Sequence, residues 1–113
     1  MTIDEIYLSI AKNITDVIKE DWQSAVLRLE VLDGMVSNTG VYYQEKGLER
    51  QLDVEEFDFQ LTFDIMELHH ITTEGNGDKW NRAVYTLSSD GKFNMEFIWD
   101  QDLQDEVERL AKE

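Results

Sequence analysis

The run Trp80-Asn81-Arg82-Ala83-Val84-Tyr85-Thr86-Leu87-Ser88-Ser89-Asp90-Gly91-Lys92-Phe93-Asn94-Met95-Glu96-Phe97-Ile98-Trp99-Asp100 decides the fold. Ala83, Tyr85 and Leu87 alternate with Val84, Thr86 and Ser88, while Phe93, Met95, Phe97 and Trp99 alternate with Asn94, Glu96 and Ile98. A period of two with one apolar side per arm specifies two strands. Ser88-Ser89-Asp90-Gly91 supplies the turn between them. The register follows from asking which loop length keeps the apolar residues on one face. A two-residue Asp90-Gly91 turn sets Phe93 opposite Ser88 and Leu87 opposite Asn94, which splits the apolar set. A three-residue loop with Gly91 left-handed sets Ser88 opposite Lys92, Leu87 opposite Phe93, Tyr85 opposite Met95 and Ala83 opposite Phe97. The second register is the expected one, because a slip of one residue would turn the whole apolar face to water.

Outward from this hairpin, the amino-terminal end carries a capping box, Thr2-Ile3-Asp4-Glu5, ahead of Ile3, Ile6, Tyr7, Ile10, Ile14, Val17 and Ile18 at helical spacing. A helix over about residues 3–19 follows. From Gln23 the period changes to two, with Ala25, Leu27, Leu29 and Val31 on one side. Asp33-Gly34 signals a turn, and Met35 to Gln44 is the returning strand. Within it Gly40 marks a bulge or the close approach of another backbone. Leu48 to Leu52 is a short candidate third strand.

Residues 53–73 satisfy two templates. Phe57, Phe59, Leu61, Phe63 and Ile65 alternate like a strand, whereas Val54, Phe57, Leu61, Ile65 and Leu68 recur like a helix behind the capped start Asp53-Val54-Glu55-Glu56. Twenty residues without a turn signal are too many for an ordinary strand, so a helix ending before Gly75-Asn76-Gly77 is expected, with 56–65 the stretch where a strand competes. Phe59 and Phe63 then flank the core stripe. Asp100 or Asp102 caps a last helix carrying a narrow stripe of Leu103, Val107 and Leu110, which is too short to persist without docking. The expected class is α+β, one domain over residues 1–113, an antiparallel sheet with helices packed on one face in the order α-β-β(-β)-α-β-β-α.

The 113 residues hold 25 acidic and 10 basic side chains, a formal net charge of -15. Such a charge repels nucleic acid and anionic membrane and steers a basic partner towards the protein. With no cysteine there is no disulfide framework and no thiolate ligand or nucleophile. No apolar run reaches the roughly 18 residues of a membrane span, and the acidic start is unlike a signal peptide, so the cytoplasm is the expected compartment.

Motifs for chemistry are sparse. His69 and His70 are the only histidines, and on a helix only His70 shares a face with Glu67 or Glu74. Two ligands fall short of the three or four that a metal site takes, so a surface histidine at a helix end is the favoured reading, with no cofactor. Any carboxylate pair among 25 is uninformative, and no nucleophile motif or phosphate loop occurs. The distribution of acids says more. Between Arg50 and Lys79 there is no Lys or Arg, while Asp53, Glu55, Glu56, Asp58, Asp64, Glu67, Glu74 and Asp78 are acidic; Glu96, Asp100, Asp102, Asp105, Glu106 and Glu108 form a second cluster. A solvated face is the ordinary reading of such charge. Beside aromatics such as Tyr43, Phe59 and Trp99, the acids fit an interface that needs both steering and anchors.

The helix pattern Ile3-Asp4-Glu5-Ile6-Tyr7-Leu8-Ser9-Ile10-Ala11, the strand with Tyr42-Tyr43 leading into Glu45-Lys46-Gly47, the acidic Asp53-Val54-Glu55-Glu56-Phe57-Asp58, and Trp80 followed by Ser89-Asp90-Gly91-Lys92-Phe93 resemble the YezG-like immunity proteins. The resemblance runs in order from Thr2 to Leu103. It implies a cytoplasmic antitoxin paired with a nuclease-type toxin domain, such as that of a contact-dependent inhibition or type VII effector. A nuclease cleft is cationic because it must attract phosphate, and a carboxylate-rich protein can cover it. The expected contact residues are Asp53, Glu55, Glu56, Asp58, Phe59, Asp100 and Asp102, on a monomer or weak homodimer. The alternative is a small acidic enzyme or metal-dependent regulator using His70 with nearby carboxylates.

Overall fold

The computed structural model describes residues 1–75, 77 and 79–112. Asn76, in the middle of the expected Gly75-Asn76-Gly77 break, and Asp78 of the acidic run lie outside the described residues. The elements are α1 (Ile3–Val17), β1 (Ser24–Leu32), β2 (Met35–Tyr43), β3 (Glu49–Gln51), α2 (Gln60–His70), β4 (Arg82–Ser88), β5 (Phe93–Ile98) and α3 (Gln101–Ala111). The five strands form one antiparallel sheet in the order β3-β2-β1-β4-β5, which is the α+β order the periodicities predict.

The β4–β5 hairpin adopts the three-residue loop. Leu87 opposes Phe93, Tyr85 opposes Met95 and Ala83 opposes Phe97. Gly91 has φ +92°, and Ser88 and Lys92 close the loop with a 2.8 Å backbone hydrogen bond. In β1, Ala25, Leu27, Leu29 and Val31 are all buried. They sit opposite Leu87, Tyr85 and Ala83 on one side and opposite Tyr42 and Gly40 on the other. Gly40 is a close-approach glycine: an added Cβ would stand 2.8 Å from Leu52 Cδ2 and 2.9 Å from the Val26 carbonyl oxygen. Only a hydrogen side chain leaves Leu52 room to enter the core.

α1 begins at the expected capping box, with the Glu5 amide donating to Thr2 Oγ1 at 3.2 Å and the Thr2 amide to Glu5 Oε1 at 2.9 Å. Its Ile6, Ile10 and Ile14 join Leu61, Ile65 and Leu68 of α2 in one core against the sheet. The two helices run antiparallel, as three bridges show: Asn13 to Asp58, Ser9 to Asp64 and the Met1 amine to Glu67. The opposite face of the sheet presents half-buried Val26, Val41, Val84, Thr86 and Ile98.

The helix expected from Asp53 begins later. Val54–Glu56 is a single 3₁₀ turn with no side-chain cap from Asp53, Phe57 is extended (ψ 149°), and α2 proper opens at Gln60. The break has a tertiary cause. Asn13 Oδ1 on α1 accepts the Asp58 amide at 2.8 Å, and the Asp58 carboxylate accepts the Gln60 amide at 3.0 Å. Asp58 therefore supplies the side-chain acceptor that the spacing assigned to Asp53. The inward face survives, since Val54 and Phe57 still pack against the core and Leu61, Ile65 and Leu68 are buried. At the other end the helix widens into a single π turn, Ile71–Gly75. Thr72 and Thr73 hydroxyls there donate to the Leu68 and His69 carbonyls, competing with the backbone ladder.

Tyr85 gives a pH prediction. Its ring is fully buried, its hydroxyl donates to the Tyr7 carbonyl at 3.0 Å, and burial, with a smaller effect of Tyr7, pushes its pKa up to about 12. A raised acid pKa means the folded state prefers the neutral phenol. The stabilisation is complete below pH 10 and is lost as pH rises through 12, a loss of order 2–3 kcal/mol. Ultraviolet titration of the four tyrosines should show one step near pH 12, absent from Tyr85→Phe.

Candidate functional site

The link between β3 and α2 projects its charge outward. Asp53, Glu55, Glu56 and Asp58 are all exposed, and none forms an ion pair among the described residues. Four carboxylates within six residues make this the densest run of negative charge in the chain. It has two flanking hollows. One, about 160 Å³, is lined by Ser9, Lys12, Asn13, Asp16, Asp58, Gln60, Leu61 and Asp64; the other, about 380 Å³, lies between Glu20, Tyr42, Gln51 and Asp53 with Lys19 at its edge. In the first, Lys12 is already paired with Asp16 at 2.7 Å. The carboxylate of Asp64 is buried there, accepting from Ser9 Oγ at 3.2 Å and Gln60 Nε2 at 3.3 Å. In the second, the Tyr42 hydroxyl donates to Glu20 at 2.5 Å, which holds the glutamate below and the phenol above their ordinary ranges. Each hollow thus offers carboxylates to an incoming cationic side chain.

Aromatic surface adjoins this charge. Phe59 is 78% exposed and Phe63, one turn along α2, is 56% exposed. Leu61 and Ile65, which alternate with them, are buried. Helical geometry explains the difference: the alternation that imitates a strand becomes two faces at 100° per residue, and 59 and 63 share the outer one. Leu8 on α1, 65% exposed, is a further apolar surface residue for which the sequence pattern gives no separate signal.

Asp100 and Asp102 lie elsewhere. They follow β5, at the sheet edge opposite β3. Four interstrand spacings put the edges about 19 Å apart. The Asp100 carboxylate is engaged within the fold, capping the Leu103 amide at 3.1 Å and accepting Arg82 Nε at 2.9 Å. Those contacts, the capping bond first, hold it below the usual carboxylate range. Arg82 also pairs with Glu30 of β1, so the trio ties the root of α3 to the sheet. Asp102 is exposed in the first turn of α3.

The histidines are separated by their surroundings. His69 packs edge-on against Trp80 at 4.7 Å, with Nε2 2.9 Å from the Trp80 carbonyl oxygen. His70 Nδ1 faces Glu74 at 2.8 Å on the exposed side, whereas Glu67 is drawn to the Met1 amine at 3.1 Å. Among the described residues no three His, Asp or Glu side chains converge as a metal site. Also among them, no helix is long and apolar enough to cross a membrane.

The comparison with curated proteins finds no match. The family model described as "Immunity protein YezG-like" matches residues 3–113, nearly the whole chain, including both acidic regions and the hairpin. The chain belongs to the YezG-like family of immunity proteins.

Proposed function

We propose that the chain neutralises a basic, nuclease-type toxin domain, of the kind carried by contact-dependent inhibition or type VII effectors, by binding it in the cytoplasm with no reaction of its own. The carrying observation is the exposed carboxylate run Asp53, Glu55, Glu56 and Asp58 beside two outward phenylalanines, Phe59 and Phe63. The acids raise the rate of encounter with a cationic surface, and the rings, desolvated on contact, set the lifetime of the complex. A second copy is a poor occupant of this surface. Two molecules of charge -15 repel, and the same acids would face each other. The protein therefore acts as a monomer against its toxin.

The test uses the cognate toxin domain, in a catalytically silenced form, with surface kinetics at several salt concentrations. Changing Asp53, Glu55, Glu56 and Asp58 together to lysine should slow association roughly 10- to 100-fold at low salt and flatten its salt dependence. Phe59→Ala should leave association nearly unchanged and speed dissociation by about tenfold or more. Association that ignores the four charge reversals would move the interface to another face.

A further inference from the structure

We propose that α3 is a second recognition arm, which lays Leu103, Val107 and Leu110 into an apolar groove of the basic partner while its flanking acids meet cationic groups on the rim. The proposal rests on reading the chain as the antitoxin of a basic toxin. It adds an element at the far edge of the sheet from the acidic link.

Three observations carry it. First, α3 is held at its root by polar bonds. The Asn81 side chain grips the Asp100 backbone at both ends, Nδ2 to the carbonyl oxygen at 2.9 Å and Oδ1 from the amide at 2.8 Å, and Arg82 takes the Asp100 carboxylate. Second, the apolar stripe is only partly covered, with Leu103 and Val107 half-buried and Leu110 exposed. No residue of α3 is buried, and Leu110 is 54% exposed. Side-chain bonds of the helix such as Gln101 to Asp105 and Gln104 to Glu108 stay within it. An 11-residue helix is marginal in water by itself, so a capped helix with spare apolar surface gains most from a partner that packs on it. Third, charge selects the occupant. From Gln101 to Lys112 the helix carries Asp102, Asp105, Glu106 and Glu108 against Arg109 and Lys112. Residues i, i+4 and i+7 are the anchors of a helix seated in a groove, and here they are bordered by acids. That pattern suits a cationic groove and opposes a second copy of the chain.

Hydrogen exchange of the free protein and of its complex with the catalytically silenced cognate toxin domain tests this directly. Amides of residues 103–111 should exchange rapidly in the free protein and at least tenfold more slowly in the complex. The double variant Val107→Ser/Leu110→Ser should dissociate about 10- to 100-fold faster with association unchanged. Its unfolding midpoint should hold, because Leu110 is exposed and Val107 only half-buried. If α3 is equally protected in the free protein, or its exchange is unaltered in a complex that protects residues 53–63, the arm is refuted and the antitoxin reading stands. If the unsubstituted protein forms no complex, both fall.

Discussion

Trp80→Ala should lower the free energy of unfolding by about 4 kcal/mol and the melting temperature by about 15 °C. The indole is 1% exposed and stands where three elements meet. It stacks on Phe97 of β5 at 4.8 Å and 24°, receives the edge of His69 from α2 at 4.7 Å, and donates Nε1–H to Thr72 Oγ1 at 2.7 Å. Truncation removes the largest side chain of the core and leaves a cavity that a sheet and a helix end cannot both collapse into. Thr72 also loses its donor while its own hydroxyl still serves the Leu68 carbonyl. Trp80→Phe keeps most of the stacking and should cost about 1–2 kcal/mol, largely the lost hydrogen bond. Urea unfolding followed by circular dichroism separates the two variants. An alanine effect below about 1.5 kcal/mol would mean that Trp80 does not join α2 to β5.

Asn81→Ala should cost about 2–3 kcal/mol and release α3. Asn81 is 2% exposed, yet both polar ends of its side chain are satisfied by the backbone of Asp100. Its own backbone bonds to Ile98 at 3.1 Å and Val31 at 3.0 Å, so the residue extends the β1–β4–β5 pairing one position ahead of the start of β4. Alanine leaves the Asp100 amide without its acceptor at a half-buried position and its carbonyl with the Gln104 amide alone, at 3.2 Å, and an unmet backbone group costs more than a made bond returns. The Arg82–Asp100 pair then loses its fixed geometry. Asn81→Asp keeps the acceptor but not the donor and brings a second carboxylate towards Asp100, so it should be no better tolerated. Hydrogen exchange gives the readout: amides of residues 103–111 should exchange faster in either variant while those of β1 and β2 change with global stability alone. Unaltered α3 exchange would show that Asn81 does not secure the root of the helix.

These two residues also mark the boundary between what is local and what is not. The hairpin register was legible because a period of two admits one pairing that keeps Tyr85, Leu87, Phe93 and Met95 together. The capping box of α1 and a cap of α3 at Asp100 or Asp102, of which the fold uses Asp100, were legible because their partners are three residues away. The family membership and the acidic charge were likewise written in the chain, since both depend on residue identity alone.

Arrangement in space decided the rest. The start of α2 moved from Asp53 to Gln60 because Asn13, 45 residues earlier, captures the Asp58 amide, and no window on 53–73 contains that partner. The same break turns Phe59 outward beside four exposed carboxylates. The acids that looked like one surface in composition occupy two sheet edges, because β3 and β5 are the outer strands. Asp100, equal to its neighbours as a letter, is taken up by Arg82 and a helix end. Hydrogen bonds and periodicity within a few residues are properties of the sequence; which side chains meet across the sheet, and so which charges remain available to a partner, is set only when the strands take their order.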